Sequence, residues 1–342
     1  MKIDNFDLKK DGVFIIAELS ANHANDINIA IESIKAAAKA KANAVKIQTY
    51  TADTLTLNCK KSHFEAKGAW SGQYLYDLYQ DASMPWEWTK ELQKVAKKHN
   101  IILFSSPFDF SAVDFLEQLN MPAYKIASPE IVDLPLIEKI AKTQKPIILS
   151  TGNATLAQID QAVQTIYNTG NTQLSILKCT SQYPANPKDI NLTTIPFLKE
   201  LYKCPIGLSD HTMGNAVPLG SVALGGTIIE KHFILDKSIK TADSFFSCDP
   251  KELKELVDGV KMVYDAIGEV KFEKIQKPSQ RSLIAIKDIK KGETLQNNIN
   301  FKSLRPGGGI ESKDLDNVDK RVASKDIEYG DLLSWDMIGE LK

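Results

Sequence analysis

Short β-branched, apolar runs alternate with longer helical patterns eight times between residues 13 and 267. The runs are Val13–Ala17, Ala44–Ile47, Ile101–Phe104, Ala123–Ala127, Pro146–Leu149, Leu174–Leu177, Ile206–Leu208 and Thr227–Glu230. After the first comes Ile27–Ala40, where Ile27, Ala30, Ile31, Ile34, Ala37 and Ala38 recur three and four apart on one helical face. Further helices are predicted over Trp86–His99, Ser111–Leu119, Leu134–Ala141, Leu156–Tyr167, Leu192–Tyr202, Ala216–Leu224 and Leu253–Ile267. Eight β/α units in about 270 residues suit a closed α/β fold, a (β/α)8 TIM barrel, better than an open doubly wound sheet. The first β/α turn also lacks the G-x-G-x-x-G of a dinucleotide-binding turn.

Two segments depart from the alternation. Thr49–Met84 is rich in aromatics but not in Gly or Ser, so it reads as an active-site loop rather than a linker. Near Gly268–Gln280, Lys and Gln cluster and Pro278 interrupts. The expected division is a barrel domain over 1–270, a linker over 271–281 and a small domain over 282–342. Within the small domain, Lys287-Asp288-Ile289-Lys290-Lys291-Gly292-Glu293 is echoed by Lys325-Asp326-Ile327-Glu328-Tyr329-Gly330-Asp331, an internal repeat of strand, turn, strand. About sixty residues make a small core, so this module is expected to pack on its own barrel or a partner's.

The 342 residues are 43% hydrophobic and 25% charged, with a net charge of −1, which gives no basic excess for nucleic acid and no acidic tail. No signal-peptide core and no run of about 20 apolar residues is present in the sequence. Cys59, Cys179, Cys204 and Cys248 are scattered without a C-x-x-C and read as reduced thiols of a cytoplasmic protein. Cys179, at the end of an apolar run, reads as a small buried residue ahead of a thiol nucleophile.

Polar residues recur where the strands end, on the face where barrels carry chemistry. They are Glu18, Asn22 and His23; Lys46 and Gln48; Ser105 and Ser106; Lys125 and Ser128; Ser150; Lys178 and Cys179; Ser209, Asp210 and His211; Glu230, Lys231 and His232. Lys46 and Gln48 are two apart, so both can point inward. An inward lysine is costly unless an anion meets it. Lys46 and Lys125, with Ser106, Ser128, Ser150 and Ser209, therefore suggest a cradle for phosphate and carboxylate, although one or two of the serines can be helix caps. His211 and His232 close consecutive β/α units and suggest an open two-imidazole metal site. Mn²⁺ suits it, with Mg²⁺ or Co²⁺ as alternatives.

These residues carry a family resemblance. Glu18-Leu19-Ser20-Ala21-Asn22-His23, Val45-Lys46-Ile47-Gln48, Phe104-Ser105-Ser106-Pro107-Phe108, Tyr124-Lys125-Ile126-Ala127-Ser128, Leu149-Ser150-Thr151-Gly152, Gly207-Leu208-Ser209-Asp210-His211 and Glu230-Lys231-His232-Phe233 stand in order. The whole chain resembles the sialic acid synthases, which condense phosphoenolpyruvate with an N-acylated amino sugar. Its last segment, including Arg305-Pro306-Gly307-Gly308-Gly309, is similar to their antifreeze-like SAF domain. The first motif of that family usually reads Glu-Ile-Gly-x-Asn-His-x-Gly. The Ser20 and Asn25 variant, with Lys46–Tyr50, looks like the pseudaminic acid synthase branch, whose acceptor is a 2,4-diacetamido-2,4,6-trideoxy-altrose.

The resemblance implies that Lys46, Ser106, Lys125, Ser128, Ser150 and Ser209 hold phosphoenolpyruvate. It implies that His211 and His232 bind metal, and that Glu18, Gln48, Tyr183 and Asp243 face the sugar. It also implies a domain-swapped homodimer in which Arg305 reaches the partner's sugar amide. Glu18 is read equally as a proton carrier and as a hydroxyl-binding residue. The alternatives are the same reaction on another sugar (N-acetylneuraminate or legionaminate synthesis), a related barrel aldolase or 3-deoxy-sugar-acid synthase, and a non-enzymatic binding role.

Overall fold

The structure, a computed structural model, describes residues 1–272 and 279–341. The chain forms two compact units, Met1–Gly268 and Glu269–Lys342. The linker expected over 271–281 includes 273–278, which lie outside the described residues.

In the first unit β1 (Lys2–Ile3) and β2 (Phe6–Asp7) form a short hairpin. Then come β3 (Phe14–Glu18), β4 (Ala44–Thr49), β5 (Ile102–Pro107), β6 (Tyr124–Ile126), β7 (Ile147–Ser150), β8 (Leu174–Cys179), β9 (Ile206–Asp210) and β10 (Ile228–His232). These eight strands are parallel, pair in chain order and close where β10 meets β3. The TIM-type barrel expected from the alternation is the fold observed.

Helices cover the barrel. They are α1 (Ile27–Lys39), then α2 (Ala52–Leu55) and α3 (Leu75–Ala82) inside the long insertion, and α4 (Thr89–Lys98). There follow α5 (Phe110–Gln118), α6 (Leu134–Lys142), α7 (Leu156–Asn168), α8 (Thr194–Tyr202), α9 (Ala216–Ala223) and α10 (Pro250–Ile267). The helix read as Trp86–His99 begins with a 3₁₀ turn over Trp86–Trp88. α10 starts at a capping box, in which Asp249 accepts from the Glu252 N–H and Glu252 accepts from the Asp249 N–H.

Strand alternation sorts the barrel into an inner and an outer core. Phe14, Ile16, Ala44, Ile102, Phe104, Ala123, Ile148, Leu177 and Ile228 meet inside, joined by Ile3, Phe6 and Leu8 of the N-terminal hairpin. The residues between them, such as Ile15, Ala17, Val45, Ile47, Leu103 and Ile229, pack outward against the helices. Continuing the inner set two residues at a time along each strand gives Glu18, Lys46 and Gln48, Ser106, Lys125, Ser150, Cys179, Ser209 and His211, Glu230 and His232. The parity that fills the inside with carbon at one end lines it with polar groups at the other. Gly207 is the inward residue of β9, and a Cβ there would stand 2.2 Å from the Ile228 carbonyl oxygen, so glycine lets β9 and β10 close.

The second unit contains β11 (Ser282–Ala285), paired antiparallel with β12 (Phe301–Leu304), α11 (Leu315–Val318), and β13 (Arg321–Ala323), paired with β14 (Ile338–Leu341). Leu283, Leu295, Phe301, Val318, Ile327 and Leu333 belong to its own core. The two repeated phrases pair with each other rather than each forming a regular strand–turn–strand. Ile289 and Ile327 bridge antiparallel. Asp288 Oδ1 accepts from the Tyr329 N–H and Asp326 Oδ1 from the Lys291 N–H, both at 2.8 Å. Each aspartate thus serves the same position of the other repeat.

Candidate active site

The polar end of the barrel opens into a cavity of about 650 Å³. Glu18, Lys46, Gln48, Lys125, Ser128, Ser150, Tyr183, Ser209, His211, His232 and Asp243 all line it. Ser106 sits just behind, accepting from Lys46 Nζ at 3.3 Å. Arg305 lies exposed in the second unit.

The inward lysines find carboxylates already in place. Lys46 Nζ is 2.9 Å from Glu18 Oε2 and 3.5 Å from Glu230 Oε1, and Lys125 Nζ is 3.4 Å from the same Glu230 oxygen. All four side chains are buried. Burial alone would strip the charge from Lys46, but Glu18 and Glu230 more than offset it and hold its pKa above the usual lysine value. Lys125 goes the other way: burial and the neighbouring Lys46 outweigh Glu230, and its pKa falls below the usual value. Burial would raise Glu230, yet the two ammonium groups bring it well below the ordinary carboxylate range. Glu230 is a site residue that the sequence reading named at a strand end but gave no role.

A second polar chain leads away from Glu18. Gln48 Nε2 donates to Glu18 Oε1 at 2.8 Å and to Ser20 Oγ at 3.1 Å, and Ser20 Oγ donates to Asp243 Oδ2 at 2.6 Å. Asp243 stands 3.5 Å from His232 Nδ1. Burial would raise the Asp243 carboxyl, but His232 and the Ser20 hydroxyl lower it.

Several buried polar atoms at the cavity have no hydrogen-bond partner in the chain. Among the described residues they include Ser150 Oγ, Glu230 Oε2, Glu130 Oε2 and His232 Nδ1. Buried polar groups are ordinarily paired, so a cluster of orphans marks where a ligand completes them. Glu130 also lines the cavity, just after β6, and burial pushes its carboxyl up to about 7. Nothing in the pattern around it, a 3₁₀ turn over Pro129–Val132, singles it out from sequence.

The two histidines fit a metal by their chemistry. Their ring centroids are 5.3 Å apart at the ends of adjacent strands. His211 Nδ1 lies 2.9 Å from the Thr180 carbonyl. A carbonyl only accepts, so Nδ1 carries the proton in the neutral ring and Nε2 keeps its lone pair. Among the described residues no group of three or more His, Cys, Asp or Glu is arranged to hold a metal, and the pair would be completed by water or substrate. Behind the pair, on the outward faces of the same strands, Lys231 Nζ bonds Asp210 Oδ2 at 2.5 Å and the Thr212 carbonyl at 2.7 Å, tying β10 to the turn that holds His211. Cys179 is buried at the cavity; burial raises its thiol, but the His211 contact and Ser128 pull it down to about 7.

The insertion supplies the outer wall, including Leu55, Leu75, Leu78 and Tyr79. Trp70 crosses to the far side of the cavity mouth. Its Nε1 donates to the Ala242 carbonyl at 2.9 Å, and its ring lies 5.2 Å from Tyr183, which is itself 4.5 Å from His211.

The chain is similar to known proteins over nearly its whole length. The NeuB family profile matches residues 33–272 and the SAF domain profile residues 280–339. A pseudaminic acid synthase of Campylobacter jejuni is 46% identical over 339 residues, covering 97% of this chain and 98% of that one. One from Helicobacter pylori is 45% identical over 331 residues, covering 95% and 97%. Among solved structures, an N-acetylneuraminic acid synthetase from Leptospira borgpetersenii superposes with a TM-score of 0.70 at 35% identity, covering 77% of this chain and 88% of that one.

Proposed function

The chain belongs to the NeuB family, and on that premise we propose that it is a pseudaminic acid synthase. It condenses phosphoenolpyruvate with 2,4-diacetamido-2,4,6-trideoxy-β-L-altropyranose to give pseudaminic acid and inorganic phosphate. The observation that carries the choice of sugar is the near-full-length likeness to two pseudaminic acid synthases.

Lys46 and Lys125 hold the phosphate and carboxylate of phosphoenolpyruvate, with Ser106, Ser128, Ser150 and Ser209 adding hydroxyl contacts. The support for this is the burial of both lysines at the cavity and the unpartnered Ser150 hydroxyl beside them. Gln48, Tyr183 and Asp243 orient the opened sugar so that its aldehyde carbon meets carbon three of phosphoenolpyruvate. A divalent metal, Mn²⁺ with Mg²⁺ or Co²⁺ able to replace it, would be held by His211 and His232 and supply Lewis acidity at the aldehyde oxygen. When the new C–C bond forms, positive charge develops at carbon two, and a water adds there. Glu18, 2.9 Å from Lys46, takes the proton that this water releases and returns it to the alkoxide formed on the former aldehyde oxygen. The resulting tetrahedral adduct collapses as its new hydroxyl becomes the 2-keto carbonyl and the C–O bond to phosphate breaks; the hydroxyl proton leaves with the phosphate, which departs against the two lysines.

The catalytic domain is taken as 1–270 and the SAF domain as 282–342. The enzyme works as a domain-swapped homodimer in which Arg305 meets the sugar amide in the partner's barrel. It is placed in the cytoplasm, in keeping with four free cysteines and with no helix of the described residues long and apolar enough to cross a membrane. The test is phosphate release from phosphoenolpyruvate with Mn²⁺, comparing the diacetamido-trideoxy-altrose with N-acetylmannosamine. Preference for the altrose is expected. Preference for N-acetylmannosamine would keep the chemistry and overturn the sugar.

A further inference from the structure

Ser20 stands two residues beyond the end of β3 and is held at φ 45°, in the left-handed region that favours glycine and that an L-side chain enters at a cost. The residue is buried. What this conformation achieves is the aim of its hydroxyl. Oγ gives its proton to Asp243 Oδ2 at 2.6 Å and receives one from Gln48 Nε2 at 3.1 Å. The two partners come from distant parts of the chain, β4 and the loop after β10, and this single oxygen joins them. A glycine would take the same backbone without strain and leave them unjoined.

The consequence lies in what the two partners present. Gln48 spends both Nε2 protons inside the chain, one on Glu18 and one on Ser20. Asp243 spends Oδ2 on Ser20. Gln48 Oε1 and Asp243 Oδ1 are then the ends offered to the cavity that both residues line. Both are acceptors, so the ligand groups they recognise are donors, a hydroxyl or an acetamido N–H. Without the hydroxyl, one Gln48 proton loses its acceptor. Gln48 is then held by Glu18 alone and Asp243 by His232 Nδ1 alone at 3.5 Å, and nothing fixes one against the other. We infer that Ser20 is a positioning residue for the acceptor sugar, fixing Gln48 and Asp243 so that they present two oxygens at a set spacing. The inference rests on the proposed function, in which those two residues face the sugar.

The test uses two variants of the full-length enzyme. Ser20→Gly removes the hydroxyl and relieves the backbone; Ser20→Ala removes the hydroxyl and keeps the strain. Phosphate release is measured with the diacetamido-trideoxy-altrose varied at saturating phosphoenolpyruvate, and then the reverse. Both variants are expected to raise the sugar KM about tenfold, the loss of one to two hydrogen bonds, with the phosphoenolpyruvate KM within about twofold of wild type. Ser20→Gly is expected to melt no lower than wild type, which separates positioning from folding. An unchanged sugar KM in both variants overturns the inference while leaving the function standing. Recovery in Ser20→Gly but not in Ser20→Ala also overturns it, since the backbone rather than the hydroxyl would then be responsible. No turnover of this sugar by the wild type overturns the function and the inference together.

Discussion

Lys125 Nζ lies 3.4 Å from Glu230 Oε1, and the same oxygen is 3.5 Å from Lys46 Nζ. One carboxylate is therefore shared between two buried ammonium groups before any substrate arrives; Lys46 has Glu18 as well, so Lys125 is the cation left with half a partner for an anion to complete. Lys125→Met removes one cation and leaves Glu230 with Lys46. The phosphoenolpyruvate KM is expected to rise about 10–100-fold, as for the loss of a charge-assisted hydrogen bond worth about 1.5–3 kcal/mol. Steady-state phosphate release with phosphoenolpyruvate varied reads this directly. An unchanged KM would remove Lys125 from the anion cradle.

The histidine pair makes a separate prediction. Chelation of divalent metal is expected to lower phosphate release by at least about 100-fold, with Mn²⁺ restoring it. His211→Ala is expected to weaken Mn²⁺ binding beyond detection by calorimetry. Lys231→Met, which frees the Asp210–Thr212 turn that carries His211, should weaken it by about 10-fold. Full activity after exhaustive chelation would argue that the imidazoles serve some other purpose.

Much of this site was legible because strand parity propagates. Once Val13–Ala17 and Ala44–Ile47 are read as barrel strands, Glu18 and Lys46 must face the same mouth. The same reasoning, carried two residues back from His232, reaches Glu230. Yet the sequence reading assigned the anions facing the lysines to substrate, because pairing across β4, β6 and β10 depends on barrel closure. The N-terminal hairpin left no signal, as two-residue strands have no periodicity, although Ile3 and Phe6 plug the apolar end of the barrel. Trp70 was hidden for a different reason: the insertion gets its conformation from tertiary contacts such as the one to Ala242, not from local pattern.

Glu130 gives the clearest pH signature. Burial is the main cause of its rise from 4.5 to about 7, Asp133 adds to it, and Lys125 and Lys46 pull the other way. The folded chain thus holds a proton that the unfolded chain gives up near pH 4.5. Stability from this group is full below that pH, falls as pH rises towards 7, and is flat beyond. The total is at most about 3 kcal/mol. Glu130→Gln removes the titration. Urea denaturation at pH 5 and pH 8 should show wild type losing stability relative to the variant across that interval. Parallel behaviour would mean that Glu130 is ionised in the fold throughout.

Trp70 separates the outer wall from the chemistry. Its ring packs 5.2 Å from Tyr183, and its indole N–H pins the insertion to the Ala242 carbonyl, next to Asp243. It touches neither lysine of the anion cradle by any of these contacts. Trp70→Ala should therefore raise the sugar KM by about 10-fold or more, through lost aromatic packing and a loosened Ala242 contact, while the phosphoenolpyruvate KM stays within about twofold. Trp70→Phe keeps the ring contact and loses only the hydrogen bond, so it should recover part of the loss. Kinetics with each substrate varied in turn decide the matter. Equal increases in both KM values would mean that the insertion shapes the whole cavity rather than its sugar end.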